Sequence, residues 1–446
     1  MSLVLLAIPI MAYLYMVRHF AVNVVLADQW SDVQLLAHHY NGSLSLSQLW
    51  AQHNENRILI PNLLVLLLAK TTHFNIATED LLSALLLTAT VILTIYAHHR
   101  RAMHLPLWTY VPVVVLMMSA VQQENSLWGF QIAWYLVLSS LIAALVMLDA
   151  SQLNWLKISL AIVLAAIASY SSVQGLLVWP AALVLLYHRR RPLGYWIAWV
   201  VAAAIVMVIF FYNYTFSPIG SFARDHPMQS LKFFFYAIGQ IFGVPQVLGQ
   251  QANLLVLTSG VIIFIVAIIT VVLLGARRDE GGSAPFGVAI TLVGIGFTLV
   301  ITQGRDVFGY WAASAPRYTT MELLIPVGTY LALLGKIATD RESVDTLSGD
   351  EHAQPSRGGL SLRPIYPMLL VGVGFFMVAQ AIFGNIHGVA QAEKRHSHDV
   401  IAQRVLRNID AVPKAEIAYL SPFREELPIR ALSRTLEQHH LVVFSP

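Results

Sequence analysis

The sequence predicts an all-α polytopic membrane protein with about eleven transmembrane helices. Hydrophobic residues make up 57% of the 446 residues and charged residues only 11%, whereas about a quarter of the residues in a soluble domain are charged. The apolar residues are grouped in blocks of about 18–24, the length needed to cross about 30 Å of hydrocarbon as an α-helix. With so few charges, the chain lacks the polar residues that a soluble protein of this length needs at its surface.

The loops between the apolar blocks set the order and direction of the spans. Basic clusters occur at 98–101, 188–191 and 277–278, and all three lie in the cytoplasm if the N-terminus does, as the positive-inside rule requires. We therefore expect a protein of the bacterial plasma (inner) membrane with a cytoplasmic N-terminus and an extracytoplasmic C-terminus. The eleven predicted spans are 3–26, 81–97, 106–120, 127–148, 155–169, 176–187, 193–212, 253–275, 285–302, 318–335 and 365–384.

Some apolar stretches are too short to cross a membrane. Residues 58–70 form a run of about thirteen that Pro61 interrupts, so we expect an interfacial helix on the outer surface. The stretch 231–244 is interpreted in the same way, and 43–49 as a short amphipathic helix. The predicted organisation is a transmembrane domain at 1–385, with a first outer loop at 28–80 and a cytoplasmic linker loop at 338–362, followed by an extracytoplasmic C-terminal segment at 386–446.

Charge and cysteine content narrow the possible partners. The net charge is +3, but the basic residues lie in short loops between spans, which is typical of topology signals rather than of a nucleic-acid site. The chain has no cysteine, which excludes disulfides and thiolate metal sites. We therefore expect the lipid bilayer, and no nucleic acid, among its partners.

Acidic residues follow the first span directly. Ionisable groups are costly in a membrane, so those at span ends are candidates for function. Asp28 and Asp32 are two such groups, and a carboxylate at this position could act as a general base toward an acceptor hydroxyl. The alternative is a pair of ordinary flanking acids with a helix N-cap.

The first outer loop is dense in hydrogen-bonding side chains. We expect His53, Asn54 and Arg57 to contact a sugar or an acceptor, with Glu55 beside them; the alternative is a solvated helix end with a local ion pair. His53 and Glu55 are two possible metal ligands without a third at a telling spacing. We predict no metal and no cofactor, although a divalent metal is compatible with these residues.

Amides and aromatic rings begin the fourth predicted span. Glu124, Asn125, Trp128 and Gln131 occur there, and Gln131 lies about one helical turn beyond Trp128. Sugar hydroxyls favour bidentate amide partners and the C–H face of a sugar favours a ring, so we expect a sugar or acceptor contact. The alternative is helix capping together with an interfacial tryptophan.

Arginines occur near the outer ends of the ninth and tenth predicted spans. Arg305 and Arg317, with Tyr318, could bind a phosphate at the membrane boundary, because a guanidinium holds phosphate oxygens in a bidentate manner. The alternative is snorkelling at a helix end. The histidines His396 and His398 are interpreted as solvated surface.

Taken together, these residues resemble the GT-C superfamily of integral membrane glycosyltransferases, and more narrowly a group of bacterial membrane proteins of that type. An acid directly after the first span, interfacial helices on the outer surface, about eleven spans and a later outer arginine all fit. The motifs that carry the resemblance are Asp28-Gln29-Trp30, Gln52-His53-Asn54-Glu55-x-Arg57, Glu124-Asn125-x-Leu127-Trp128-Gly129-Phe130-Gln131, Ser171–Pro180 and Arg317-Tyr318.

The resemblance implies an enzyme that moves a sugar from a polyprenyl-phosphate carrier to an acceptor on the extracytoplasmic face, with inversion. Asp28 would be the catalytic base and Asp32 the reserve candidate, while Glu55 would assist or orient the acceptor. Arg317, together with Arg305, would hold the carrier phosphate. The donor sugar and the acceptor, whether glycan, lipid or protein, stay open.

Two other function classes remain. A transporter or flippase of lipid-linked glycans would place polar groups at the middle of several spans as well as at one end, and the predicted spans carry few. A glycan polymerase or ligase would also use arginines and a lipid carrier outside the cell, but it would transfer an oligosaccharide from a diphosphate carrier.

Overall fold

The computed structural model describes the whole chain except residues 217–221, 244–248, 277, 279–280, 349–364, 422–427 and 446. About 80% of the chain is helical, with a two-stranded hairpin, β1 (Gln52–His53) and β2 (Asn56–Arg57), in the first outer loop. The helices are α1 Ser2–Phe20, α2 Trp30–Tyr40, α3 Leu46–Leu49, α4 Leu59–Thr72, α5 Ile76–His99, α6 Val111–Met117, α7 Gln123–Ser126, α8 Ile132–Leu148, α9 Trp155–Ser169, α10 Val178–His188, α11 Leu193–Phe210, α12 Phe222–Asp225, α13 Pro227–Gly239, α14 Gly249–Gly275, α15 Ala284–Arg305, α16 Tyr310–Ala313, α17 Pro316–Glu322, α18 Leu324–Ser348, α19 Ile365–Arg407 and α20 Ile429–Gln438.

The long apolar helices are those of an all-α membrane protein. Within the described part of the chain, eight helices are long and apolar enough to cross a bilayer. Two further predicted spans correspond to the shorter apolar helices Trp155–Ser169 and Val173–His188, and the third predicted span is a 3₁₀ turn followed by the seven-residue α6. The predicted membrane character is therefore confirmed, while the count of eleven stays a prediction.

The first apolar block ends earlier as a helix than the sequence indicates. Helix α1 ends at Phe20, and the following residues run extended to the 3₁₀ turn Ala27–Gln29. The backbone N–H of Ala27 donates to the carbonyl of Leu420 at 2.8 Å, and Val25 is fully buried. Helix α1 stops at Phe20 because the extended residues that follow it pack against the C-terminal segment instead of continuing the helix.

The last span and the C-terminal segment form one uninterrupted helix. Helix α19 runs for 43 residues, so the boundary drawn at 385 falls inside it. A Cβ on Gly388 would lie 2.2 Å from the carbonyl carbon of Ala120; only glycine allows this close approach, which fixes α19 against the turn before α7. Helix α18 likewise continues to Ser348, into the predicted linker loop, whose residues 349–362 lie outside the described part.

Two hydrophobic cores organise the molecule. The larger one lies among the long helices, where α15 and α18 touch so closely that a Cβ on Gly287 would lie 2.3 Å from the backbone nitrogen of Ala332. Small residues permit this approach between membrane helices. The smaller core joins α2 and α4 to the C-terminal segment, where the Trp30 indole Nε1 donates to the carbonyl of Leu420 at 3.3 Å. The smaller core thereby brings the loop 28–80 and the C-terminal segment together.

One end of the helical bundle is closed by an ionic cluster around Asp149, whose side chain is fully buried. The predicted basic clusters at 98–101 and 188–191 meet here, and Arg101 and Arg189 also donate to the carbonyls of Gly281 and Gly282. The three arginines on the carboxylate are Arg100, Arg101 and Arg189, at N–O distances of 3.3, 2.9 and 2.6 Å. We call this end of the bundle the Asp149 end.

Candidate functional site

A polar cavity of about 550 Å³ lies at the opposite end of the bundle. Helix α8 separates the two ends by about 25 Å, the length of its 17 residues at about 1.5 Å per residue. Asp28, Glu55 and Arg317 all line this one cavity. Ten of the thirteen predicted site residues line it: Asp28, His53, Asn54, Glu55, Glu124, Trp128, Gln131, Arg305, Arg317 and Tyr318.

One wall of the cavity holds an ion pair between the hairpin and α15. Arg305 is the last residue of α15, and its Nη1 and Nη2 donate to Glu55 Oε1 and Oε2 at 2.8 and 2.9 Å. The tight turn places Asn54 at φ 52°, which aims Glu55 at the helix end. Burial acts to raise the pKa of Glu55, but the Arg305 guanidinium outweighs it, so the pKa lies below its usual range. Glu55 is therefore ionised at neutral pH.

A second ion pair lines the same cavity. Arg317 Nη1 lies 2.9 Å from Glu124 Oε1, and the backbone N–H of Arg317 donates to the other carboxylate oxygen at 3.2 Å. The guanidinium carbon lies 5.1 Å from the centre of the Tyr318 ring. Arg317 is near the start of α17, directly after Pro316. Both arginines are held by carboxylates yet keep a quarter or more of their side chains exposed, at 25% for Arg305 and 31% for Arg317.

Asp28 and two aromatic side chains, Trp128 and Phe130, also line the cavity. Asp28 sits in the 3₁₀ turn that follows the extended stretch, and the Ser31 hydroxyl donates to its carbonyl at 2.6 Å. The Trp128 Nε1 donates to the carbonyl of Leu26 at 3.3 Å, and its ring lies 5.9 Å from that of Phe130. Trp128 is extended and precedes α8, while Gln131 ends a 3₁₀ turn, so the two do not share the predicted helical face.

Three predicted site residues do not line this cavity. Asp32 is only 4% exposed and borders a separate small cavity of about 40 Å³; burial raises its pKa well above the usual range, and the charge of Asp28 adds to this. Arg57 donates to backbone carbonyls that include those of Phe210 and Tyr212. Asn125 donates to the Arg317 carbonyl at 2.7 Å. Arg57 and Asn125 thus hold the backbone around the cavity instead of facing it.

The C-terminal segment adds lining residues that the sequence did not indicate. Arg395, His398, Asp399 and Tyr419 all face the cavity. The interpretation of His396 and His398 as solvated surface is wrong in part: His396 Nδ1 lies 2.9 Å from the Phe20 carbonyl oxygen, and His398 Nδ1 lies 3.0 Å from Asp399 Oδ1. The four-residue spacing of Arg395 and Asp399 on a helix is the one signal that could have indicated a pair.

The fold and the cavity define an all-α membrane protein with a polar, ion-lined cavity at one end. Within the described residues, no group of three or more histidine, aspartate or glutamate side chains is arranged to hold a metal ion. Comparison of the chain with known protein families, with functionally described proteins and with solved structures finds no match.

Proposed function

We propose that the protein is a membrane glycosyltransferase of the GT-C type, which moves a sugar from a polyprenyl-phosphate carrier to an acceptor. The observation that carries the proposal is the sharing of one cavity of about 550 Å³ by the Asp28 carboxylate and the two arginines Arg305 and Arg317. A cavity of this size accommodates a sugar phosphate. Proton acceptor, phosphate ligands and aromatic rings then stand around a single bound substrate.

The proposed chemistry is a single displacement at the anomeric carbon. The Asp28 carboxylate takes the proton of the acceptor hydroxyl as its oxygen forms a bond to C1. The bond between C1 and the phosphate oxygen breaks, and its electron pair stays on the carrier phosphate. Arg317 and Arg305 stabilise the negative charge that grows there. Displacement from the opposite face inverts the configuration at C1.

The two ion pairs that line the cavity are part of the proposal. Glu124 and Glu55 hold the two guanidinium groups in place at 2.8–2.9 Å, so their positions are set before the donor arrives. Preorganised charges cost no rearrangement at the moment of reaction. A guanidinium has five donors, so each arginine can keep its carboxylate partner and also bind phosphate oxygens. In this proposal Glu55 faces both Arg305 and the acceptor.

The proposal places the cavity on the extracytoplasmic face of a bacterial inner membrane and the N-terminus in the cytoplasm. In that orientation the basic clusters of the Asp149 end lie in the cytoplasm, where the positive-inside rule puts them. The alternative function, a transporter or flippase, would require a path for the lipid-linked glycan through both ends of the helical bundle. The Asp149 end carries three arginines on one buried carboxylate, which favours transfer at one face over transport.

The test measures carrier release by the full-length protein in lipid nanodiscs. Polyprenyl-phosphate sugars from bacterial membranes serve as donors, an envelope extract supplies acceptors, and free polyprenyl phosphate is quantified by mass spectrometry. Asp28→Asn should lower the rate by about 10²–10⁴-fold, the usual contribution of a general base. Asp32→Asn should keep most of the activity, because Asp32 lies outside the cavity.

The matched control is Asp410→Asn, which alters a carboxylate in the C-terminal segment that is 63% exposed and outside the cavity. This variant should behave like the wild type. Two results would contradict the proposal: no carrier release by the wild type with any donor, or equal rates for Asp28→Asn and Asp410→Asn.

A further inference from the structure

A histidine and a buried carboxylate form a dyad on the cavity wall that the proposed reaction does not use. His398 Nδ1 lies 3.0 Å from Asp399 Oδ1. The Asp399 side chain is 5% exposed and the His398 side chain 45% exposed, and both line the cavity. A carboxylate on one ring nitrogen fixes the tautomer of a neutral imidazole, so that the other nitrogen carries a lone pair. Nε2 of His398 is then the proton-accepting atom.

The carboxylate of the dyad is itself held in place. Arg395 Nε lies 3.4 Å from Asp399 Oδ2 and donates to the Leu127 carbonyl at 3.2 Å. The Arg395 guanidinium also lies 5.8 Å from the centre of the Trp128 ring. Arg395 thus orients the Asp399 carboxylate, and that carboxylate orients His398. This order of contacts is typical of activated bases in enzymes.

A short chain of contacts links the dyad to the turn that carries Asp28. The His398 ring lies 5.5 Å from the ring of Tyr419, and the next residue, Leu420, accepts the hydrogen bond from the Ala27 backbone. Asp28 follows Ala27 directly. The titratable and charged side chains that share this cavity with His398 are Asp28, His53, Glu55, Glu124, Arg305, Arg317, Tyr318, Arg395, Asp399 and Tyr419.

We propose that His398, oriented by Asp399, is the second proton acceptor of this cavity and relays the acceptor's proton from Asp28 to solvent. The inference rests on the proposed function. The hydroxyl proton first binds the Asp28 carboxylate, then passes through cavity water to His398 Nε2, and leaves from the exposed imidazolium. Imidazole is a stronger base than a carboxylate by about two orders of magnitude as a class. The relay therefore returns Asp28 to its ionised form for the next turnover.

The experiment compares rate–pH profiles of carrier release for the wild type, His398→Gln, Asp399→Asn and the matched control His396→Gln. His396 lies on the same helix two residues earlier and contacts the Phe20 carbonyl. The wild-type rate should fall on acidification between pH 8 and 5, where histidines as a class become charged. His398→Gln should lose this limb and run about 10²-fold slower at neutral pH. Asp399→Asn should also slow release, since the imidazole loses the carboxylate that orients its ring.

A readout that does not need activity follows the same histidines. Diethylpyrocarbonate reacts with neutral imidazole, and peptide mass spectrometry measures its rate at each histidine as a function of pH. Asp399→Asn should change the reaction rate at His398, whose Nδ1 loses its carboxylate partner, and leave the rate at His396 unchanged.

Each outcome separates the relay from the proposed function. Carrier release by the wild type with superimposable profiles for His398→Gln and His396→Gln overturns the relay and leaves the transferase proposal standing. No release by the wild type overturns both. A carbethoxylation profile of His398 that Asp399→Asn does not change overturns the dyad, whatever the activity.

Discussion

The two ends of the helical bundle use the same residue types in opposite ways. At the Asp149 end, three arginines share one carboxylate that is fully buried, and Arg189 is only 2% exposed. At the cavity end, Arg305 and Arg317 each have a carboxylate of their own, and all four side chains stay between 14% and 31% exposed. The cluster at the Asp149 end is buried, whereas the two ion pairs at the other end border the cavity of about 550 Å³.

The difference separates charges that hold helices together from charges that a ligand can reach. Removing one partner of a buried pair leaves an uncompensated charge away from water, which is strongly destabilising. Removing one partner of a partly exposed pair costs little, because water solvates the other. Variants at the Asp149 end should therefore change stability, and variants at the cavity end should change activity.

The largest expected effect is on stability at the Asp149 end. Asp149→Asn leaves three arginines without their carboxylate and should destabilise the protein by about 3–5 kcal/mol. The thermal unfolding of the detergent-purified protein measures this. The matched change at the cavity end, Glu124→Gln, should cost about 1 kcal/mol or less. Equal losses of stability in the two variants would contradict the division between the two ends.

The next effect is on activity at the cavity end. Arg317→Ala should slow carrier release by about 10²–10³-fold, as expected when one group that stabilises developing charge is removed. Its unfolding temperature should stay close to that of the wild type. Arg189→Ala should do the reverse and lower the unfolding temperature, with an unchanged rate per folded molecule. A similar loss of activity and of stability in both variants would show that the arginine at the cavity is structural.

The smallest effect is the pH dependence of the Glu55–Arg305 pair. The pKa of Glu55 is lowered in the folded protein, so the pair stabilises the protein above the ordinary glutamate value of 4.5 and is lost as the pH falls through the folded pKa. Because the pair is partly exposed, its contribution is about 1 kcal/mol or less. Wild type and Glu55→Gln should differ in unfolding temperature at pH 7 and converge once the pH has fallen through the folded pKa of Glu55.

A difference between these two proteins that stays constant as the pH falls from 7 through the folded pKa of Glu55 would contradict the assignment of that stability to the ion pair. The exposed Asp225, whose side chain is 57% exposed beside Arg224, provides the control. Asp225→Asn should match the wild type throughout, since an exposed pair contributes little.

Part of the cavity could be predicted from the sequence because charge is rare in this chain. Asp28, Arg305 and Arg317 stand out at span ends, and their cost in a membrane marks them as candidates. Arg57 and Asn125 stand out as polar residues in outer loops or at span ends, yet they donate to backbone carbonyls, because position at a span end does not determine which way a side chain points. Composition alone therefore indicates the region of the cavity but not which side chains line it.

The contribution of the C-terminal segment could not be predicted. His398 and Asp399 reach the cavity because α19 continues without a break and because the smaller core packs this segment on the first outer loop. That packing depends on contacts such as the one between Trp30 and Leu420, which are 390 residues apart. No local pattern encodes a pairing over that distance, and the early end of α1 at Phe20 has the same cause.

The most direct test of the central claim is native mass spectrometry of the purified protein, wild type against Asp28→Asn, with added bacterial lipid extract. If Asp28 is the base in a cavity that binds a lipid-linked sugar, the variant should retain a polyprenyl-phosphate sugar. The wild type should carry spent carrier or no lipid. Absence of polyprenyl species from both proteins would contradict the account and direct attention to a different cargo for the cavity.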